Sequence, residues 1–180
     1  MSERVTTPDR VPAAITNGEV RSRTVRWADP LETAARLHEM NGREAMRVLM
    51  RGDVPPPPIA ATLDLWPVEV EEGRAVFAVR PAEFHYNPIG VVHGGLAATL
   101  LDSAMGCAVQ TTLPAGTGYT TLELHTNFVR PITRDTGPLR CEGVVLHRGR
   151  TMATAEGRVV VEATGKLVAH GTTTCAVMGG

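Results

Sequence analysis

The residues with chemistry to offer sit in one loop and the helix after it: Asn87, Gly90, His93, Gly94 and Gly95, then an apolar run with a single carboxylate, Asp102. The His-Gly-Gly junction reads as a helix start. The first amides of a helix have no partner inside it, and the helix dipole favours negative charge there, so an oxygen anion can bind. Glycines leave those amides open to a ligand. Gly94 is therefore a candidate oxyanion donor through its N–H, a kind of donor whose loss typically costs about 3 kcal/mol. Close packing of the helix on a sheet would account for Gly94 and Gly95 equally well.

Asp102 lies among Leu100, Leu101, Ala104 and Met105, too far into the run to cap the helix. A buried carboxylate without partners costs several kcal/mol or shifts its pKa upward. Asp102 either reaches solvent or a structural arginine, or it serves as a general base or direct nucleophile. His93 could orient a bound group or be an ordinary structural hydrogen-bonder. Asn87, just before Pro88, could hold a water or simply turn the loop. Arg148-Gly149-Arg150-Thr151 is either a solvated hairpin turn or a phosphate contact, for which arginine is well suited.

Other chemistries lack their residues. Serine occurs only at positions 2, 22 and 103, with no Gly-x-Ser-x-Gly elbow, which excludes an α/β-hydrolase mechanism. His85, His93 and His125 lack metal-ligand spacing with carboxylates or cysteines, so no metal is expected. Gly116-Thr117-Gly118 precedes a strand, where a dinucleotide loop needs a helix. Cys107, Cys141 and Cys175 fit no metal, redox or disulfide pattern and read as buried free thiols.

The elements that must position these residues follow from periodicity. The Asp102 helix is expected from about Gly94 to Thr112, and its lack of polar surface marks it as buried. Ahead of it, alternation over Ala61–Leu65 predicts a strand, with Pro67 at an edge or bulge. Glu71-Glu72-Gly73 reads as a hairpin turn and Arg74–Arg80 as the returning strand. Four more strands are expected near 119–129, 138–148, 151–162 and 166–176. In the first of these, Leu122, Leu124 and Phe128 look like the core face, which puts Thr121 on the other face unless a bulge or a subunit seam intervenes. An antiparallel sheet wrapped round one central helix, an α+β fold, satisfies both patterns.

Upstream, residues 1–28 read as a mobile tail in which Val25 and Trp27 could dock. Asp29-Pro30 starts a helix, Met46, Leu49 and Met50 mark a second piece, and Pro55–Pro58 make a stiff connector. The division is an N-terminal extension, 1–54, and a domain, 55–180. With 180 residues, 43% hydrophobic, and a net charge of −1, the chain can build a core, and neither nucleic acid nor a membrane is expected as a partner. No run is long enough to span a bilayer and no signal-peptide core is evident, so a reduced cytoplasm is the expected setting.

Asn87, Gly90, His93, Gly94, Gly95 and, nine positions after the histidine, Asp102 together resemble the PaaI-like acyl-CoA thioesterases of the hotdog-fold superfamily. The resemblance continues through Asn127-Phe128-Val129-Arg130-Pro131, Gly149-Arg150-Thr151 and Gly165–Ala169, and covers about residues 55–178. It implies hydrolysis of acyl-CoA thioesters to free acid and CoA, with no cofactor, since coenzyme A is part of the substrate. It implies catalytic work for Asp102, Gly94, His93 and Asn87, and a hydroxyl at Thr121 that assists the water. Arg148, Gly149, Arg150 and Thr151 become candidate contacts for coenzyme A.

Nine helical residues at about 1.5 Å each put Asp102 about 13 Å from His93 along the axis. Cooperating groups must lie within about 3 Å of the reacting atoms, or one water away. Two antiparallel central helices would bring His93 of one subunit near Asp102 of the other. The resemblance implies that arrangement too, so a homodimer with two equivalent sites is expected, paired again into a homotetramer. Two other classes share the fold. One is a hydratase or dehydratase acting on acyl thioesters, although apolar Cys107 stands where a second acid would be sought. The other is a non-catalytic acyl-CoA-binding regulatory module that interacts through residues 1–54; it would not need a buried Asp102.

Overall fold

The computed structural model describes residues 21–179, so most of the tail expected over 1–28 lies outside the described residues. Asp29 caps α1 (Pro30–His38) by accepting from the Leu31 amide at 2.8 Å, with Pro30 in the first turn. Trp27, expected as a docking residue, is exposed. Asn41 caps α2 (Gly42–Arg51), and Gly52 ends it at φ +73°. Ala45, Met46 and Val48 on α2 are buried, and Met46 joins the main core.

Residues 61–65 do not form the expected strand. Pro57 and Pro58 open α3 (Pro58–Leu63), Asp64 breaks it at φ +61°, and β1 (Leu65–Glu71) starts only at Leu65. Five residues of alternation cannot separate a short strand from a helical turn, and a proline at the first helical position favours the helix. The hairpin at Glu72-Gly73 then returns as β2 (Arg74–Val79), as expected.

The central helix, α4 (Gly94–Gln110), ends two residues before its expected limit, and the four strands expected after it all form. They are β3 (Gly118–Phe128), β4 (Leu139–Arg148), β5 (Met152–Val161) and β6 (Leu167–Met178). All six strands make one antiparallel sheet in the order β1-β2-β4-β5-β6-β3. The sheet curls around α4, whose Leu96, Leu100, Leu101, Ala104, Met105, Ala108 and Val109 are all buried. This is the hotdog arrangement. Pro67 lies on edge strand β1, where the register slips between Pro67 and Glu69, so its missing N–H interrupts no interior ladder.

Two glycines of a row of three let the sheet approach the helix, while the third, Gly171, lets β3 lie close against β6 at the His125 carbonyl. Gly143, Gly157 and Gly171 are paired across β4, β5 and β6 and form one row. A Cβ on Gly143 would lie 2.4 Å from the carbonyl carbon and oxygen of Ala104, and one on Gly157 2.9 Å from Met105. Those contacts are with the middle of α4, next to Asp102. Gly143→Ala should therefore force the helix off the sheet and destabilise the protein by about 1–3 kcal/mol. Urea denaturation measures this, and an unchanged midpoint would contradict the close approach.

Candidate active site

His93 (φ −61°, ψ 134°) is the N-cap of α4, and its Nδ1 accepts from the Gly95 amide at 2.8 Å. A neutral imidazole that accepts at Nδ1 carries its proton on Nε2. The His93 carbonyl accepts from Leu96 at 3.0 Å. Of the first three helix amides, Gly95 and Leu96 are engaged, while Gly94 N–H has no partner among the described residues. The two glycines differ in what they permit. A Cβ on Gly95 would sit 2.8 Å from His93 Nδ1 and disrupt the cap, whereas one on Gly94 would meet the Phe128 ring at 3.3 Å.

The loop before the helix is tied at both ends. Asn87 Oδ1 accepts from the amides of Ile89 at 3.1 Å and Val91 at 3.3 Å, so this side chain holds the turn that Gly90 makes at φ +82°. His93 N–H donates to the carbonyl of His85 at 2.8 Å, and Val92 N–H to that of Ile132. The His85 ring is buried, with Nδ1 accepting from Ala82 N–H and Nε2 donating to the Leu63 carbonyl, both at 3.0 Å. His85 therefore couples the end of α3 to the His93 junction. A groove of about 290 Å³ passes Asn87, Gly94 and Phe128.

Asp102 lies further along α4 on a half-buried strip that includes Gly95, Thr99 and Ser103. Its Oδ1 accepts from Thr121 Oγ1 at 2.8 Å, and it forms no ion pair among the described residues. The structural arginine considered for Asp102 is thus not its partner. Thr121 faces the helix because the β3–β6 register slips between Thr121 and Glu123, a bulge at Leu122. The bulge turns Leu122 outward at 64% exposure, against the expectation that it faces the core, and lets Thr121 and Leu124 both point inward.

Tyr119 and Cys107 complete the surroundings of Asp102, and neither was singled out from the sequence for this place. The Tyr119 hydroxyl packs on Gly106, where an added Cβ would collide with it, and stands near the Cys107 thiol. A glycine inside a buried helix was the available signal, since it marks close packing there. Burial pushes Tyr119 well above its usual pKa and the Cys107 thiol up to about 12, so both stay neutral. His85 had no comparable signal in the sequence.

The structure groups the candidate residues into three places. Asp102 and Thr121 meet directly, and Asn87, His93 and Gly94 gather at the helix start. Arg148, Gly149, Arg150 and Thr151 lie in the β4–β5 turn, at the sheet end where β2 and β4 meet the C-terminus of α4. Arg148 and Arg150 are exposed and pair with no carboxylate among the described residues. No group of three or more His, Cys, Asp or Glu among the described residues is placed to hold a metal. No helix among them is long and apolar enough to cross a membrane.

Residues 89–168 match the family model described as the thioesterase superfamily. The human protein named acyl-coenzyme A thioesterase 13 is 30% identical over 104 residues, which are 58% of this chain and 73% of that protein. The chain belongs to the thioesterase superfamily. A solved structure in the superfamily's hotdog fold, a phenylacetic acid degradation-related protein from Ralstonia eutropha, is 32% identical with a TM-score of 0.65. It aligns over 73% of this chain and 98% of its own. A Saccharolobus solfataricus protein provisionally designated an esterase is 36% identical over 52% of this chain, and the match spans just under two thirds of its length, 65%. The resemblance to PaaI-like superfamily members drawn from Asn87–Asp102 holds.

Burial holds the His85 pKa below the usual 6.5, since both ring nitrogens are committed in the neutral form. The unfolded chain takes up a proton at His85 below pH 6.5 that the folded chain resists. Stability is therefore full above that pH and falls as the pH drops from 6.5 towards the lower, folded value. Urea midpoints measured on both sides of that pH should fall on acidification, and fall less in His85→Gln. Parallel losses in the two proteins would contradict this role.

Proposed function

We propose that this chain hydrolyses acyl-CoA thioesters to the free acid and CoA. The observation that carries the reading is Asp102: a half-buried carboxylate in an apolar helix, hydrogen-bonded by Thr121 and neutralised by no cation among the described residues. A structural carboxylate in such a place would be paired. In the proposed reaction Asp102 takes a proton from a water, which attacks the thioester carbonyl while Thr121 fixes the carboxylate's orientation. The developing oxyanion accepts from Gly94 N–H at the start of α4. Collapse breaks the C–S bond, CoA leaves as its thiolate, and the proton passes to it. Direct attack by Asp102 gives the same products through an acyl-carboxylate anhydride that water then cleaves.

The remaining residues take supporting roles in this reading. His93 positions the Gly94 amide by capping the helix, and its exposed Nε2–H is available to the thioester or the departing thiolate. Asn87 holds the loop. Arg148 and Arg150, with Gly149 and Thr151 in the same turn, contact the phosphates or pantetheine arm of coenzyme A.

The site is assigned to a homodimer. Gly94 and Asp102 lie on one helix, too far apart to share a small thioester group. Edge strand β3 offers a second copy a long unpaired ladder and exposed apolar side chains, Leu122 and Phe128. The assignment extends to a tetramer of paired dimers and to a cytoplasmic setting.

Two substitutions test the chemistry. Asp102→Asn keeps the shape and the Thr121 contact but should lower kcat by at least a hundredfold, with folding intact. Gly94→Pro deletes one N–H at a position where proline suits the helix start, and should cost about a hundredfold in kcat. Steady CoA release from an acyl-CoA panel, followed with a thiol reagent, measures both. Full turnover in either variant removes that residue from the mechanism.

A further inference from the structure

An apolar cavity of about 90 Å³ lies between the N-terminal helices and α4. Met46 and Leu49 of α2, Pro57 ahead of α3, Trp66 of β1 and Phe77 of β2 wall it. Its floor is Ser103 and Cys107, one turn apart on α4. The neutral Cys107 thiol behaves there as a small apolar surface. A pocket walled almost wholly by apolar side chains is where an apolar group of a ligand would bind.

Ser103 directly follows Asp102, and Cys107 rests against Tyr119, which packs on Gly106 one turn beyond Asp102. The cavity and the carboxylate therefore share the half-buried strip of α4, with β3 on one flank and β1 on the other. A thioester carbonyl at Asp102 would have this cavity beside it, further along the same helix.

We propose that the cavity receives the acyl chain, and that the stretch 42–67, outside the matched residues 89–168, sets how large a chain is accepted. The inference rests on the thioesterase reading of Asp102. The cavity is small beside the roughly 300–1,000 Å³ of a drug-sized ligand pocket, which makes the fitting acyl group short and aliphatic, near butanoyl in size. Trp66 and Ile59, both substantially exposed, stand at its rim and limit anything longer.

CoA thioethers carrying ethyl, butyl, hexyl or decyl groups cannot be hydrolysed, and calorimetric binding to the full chain reads the cavity directly. The butyl compound, with two more methylenes to bury, should bind about tenfold tighter than the ethyl one, with no further gain at hexyl or decyl. Leu49→Phe fills the cavity and should lower butyl affinity about tenfold while leaving ethyl affinity unchanged. Trp66→Ala, at an exposed position, should extend the gain to hexyl, and it decides the matter alone if Leu49→Phe does not fold. A wild-type affinity that ignores chain length, or a profile that Trp66→Ala leaves unchanged, overturns the inference. Turnover of the matching acyl-CoAs is read separately. Absence of turnover across the panel ends the proposed hydrolysis, while thioether binding still decides the cavity.

Discussion

An apolar helix enclosed by a sheet can carry a carboxylate only where the sheet fails to close, and α4 has one such strip. Leu96, Leu100, Leu101, Ala104 and Met105 face the closed sides, while Gly95, Thr99, Asp102 and Ser103 are half-buried. The strip exists because the sheet has two edges, β1 and β3, that do not meet. Thr121 reaches Asp102 from one edge, and Trp66 stands over Ser103 and Cys107 from the other. Gly143 on β4 and Gly157 on β5 set how deeply the helix sits against the sheet. Chemistry elsewhere on this helix would need a charge in a dry core, where desolvation would neutralise it.

Much of this was legible in the residues because the relevant signals are local. His93-Gly94-Gly95 marks a cap, and the structure shows that cap, down to the Nδ1 acceptor. The turns at Gly73 and Gly165 bound strands that form as expected. What escaped were effects of pairing and tertiary contact. A bulge was one of two ways to turn Thr121 inward, but Leu122 carries no glycine or proline to place it there or to choose it over a subunit seam. The α3 turn looked like a strand because alternation over Ala61–Leu65 suits either form, and the left-handed Asp64 that separates it from β1 is not a residue type that demands the conformation. His85 reads as a loop residue, although its ring and carbonyl join α3 to the His93 junction.

The N-terminal extension takes on more than its sequence suggests. Its sequence reads as a tail followed by two helical pieces with no stated place in the core, and α2 buries Ala45, Met46 and Val48. Arg23 donates to the carbonyls of Thr62 at 2.6 Å and Ala61 at 3.0 Å, and its guanidinium lies 3.9 Å from the Phe84 ring centroid. Phe84 in turn packs on His85. The extension is thereby linked through α3 to the loop that starts α4, and it covers part of the gap between the sheet edges.

The central claim is that one thioester site draws Gly94 from one subunit and Asp102 from another. Co-expression of Gly94→Pro and Asp102→Asn chains, with hybrid dimers isolated by two different affinity tags, tests it most directly. Each hybrid would hold one site with both residues intact and one with neither. The account predicts turnover near half that of the wild-type dimer, well above either variant alone. Hybrid activity no higher than the mean of the two inactive parents would contradict a shared site.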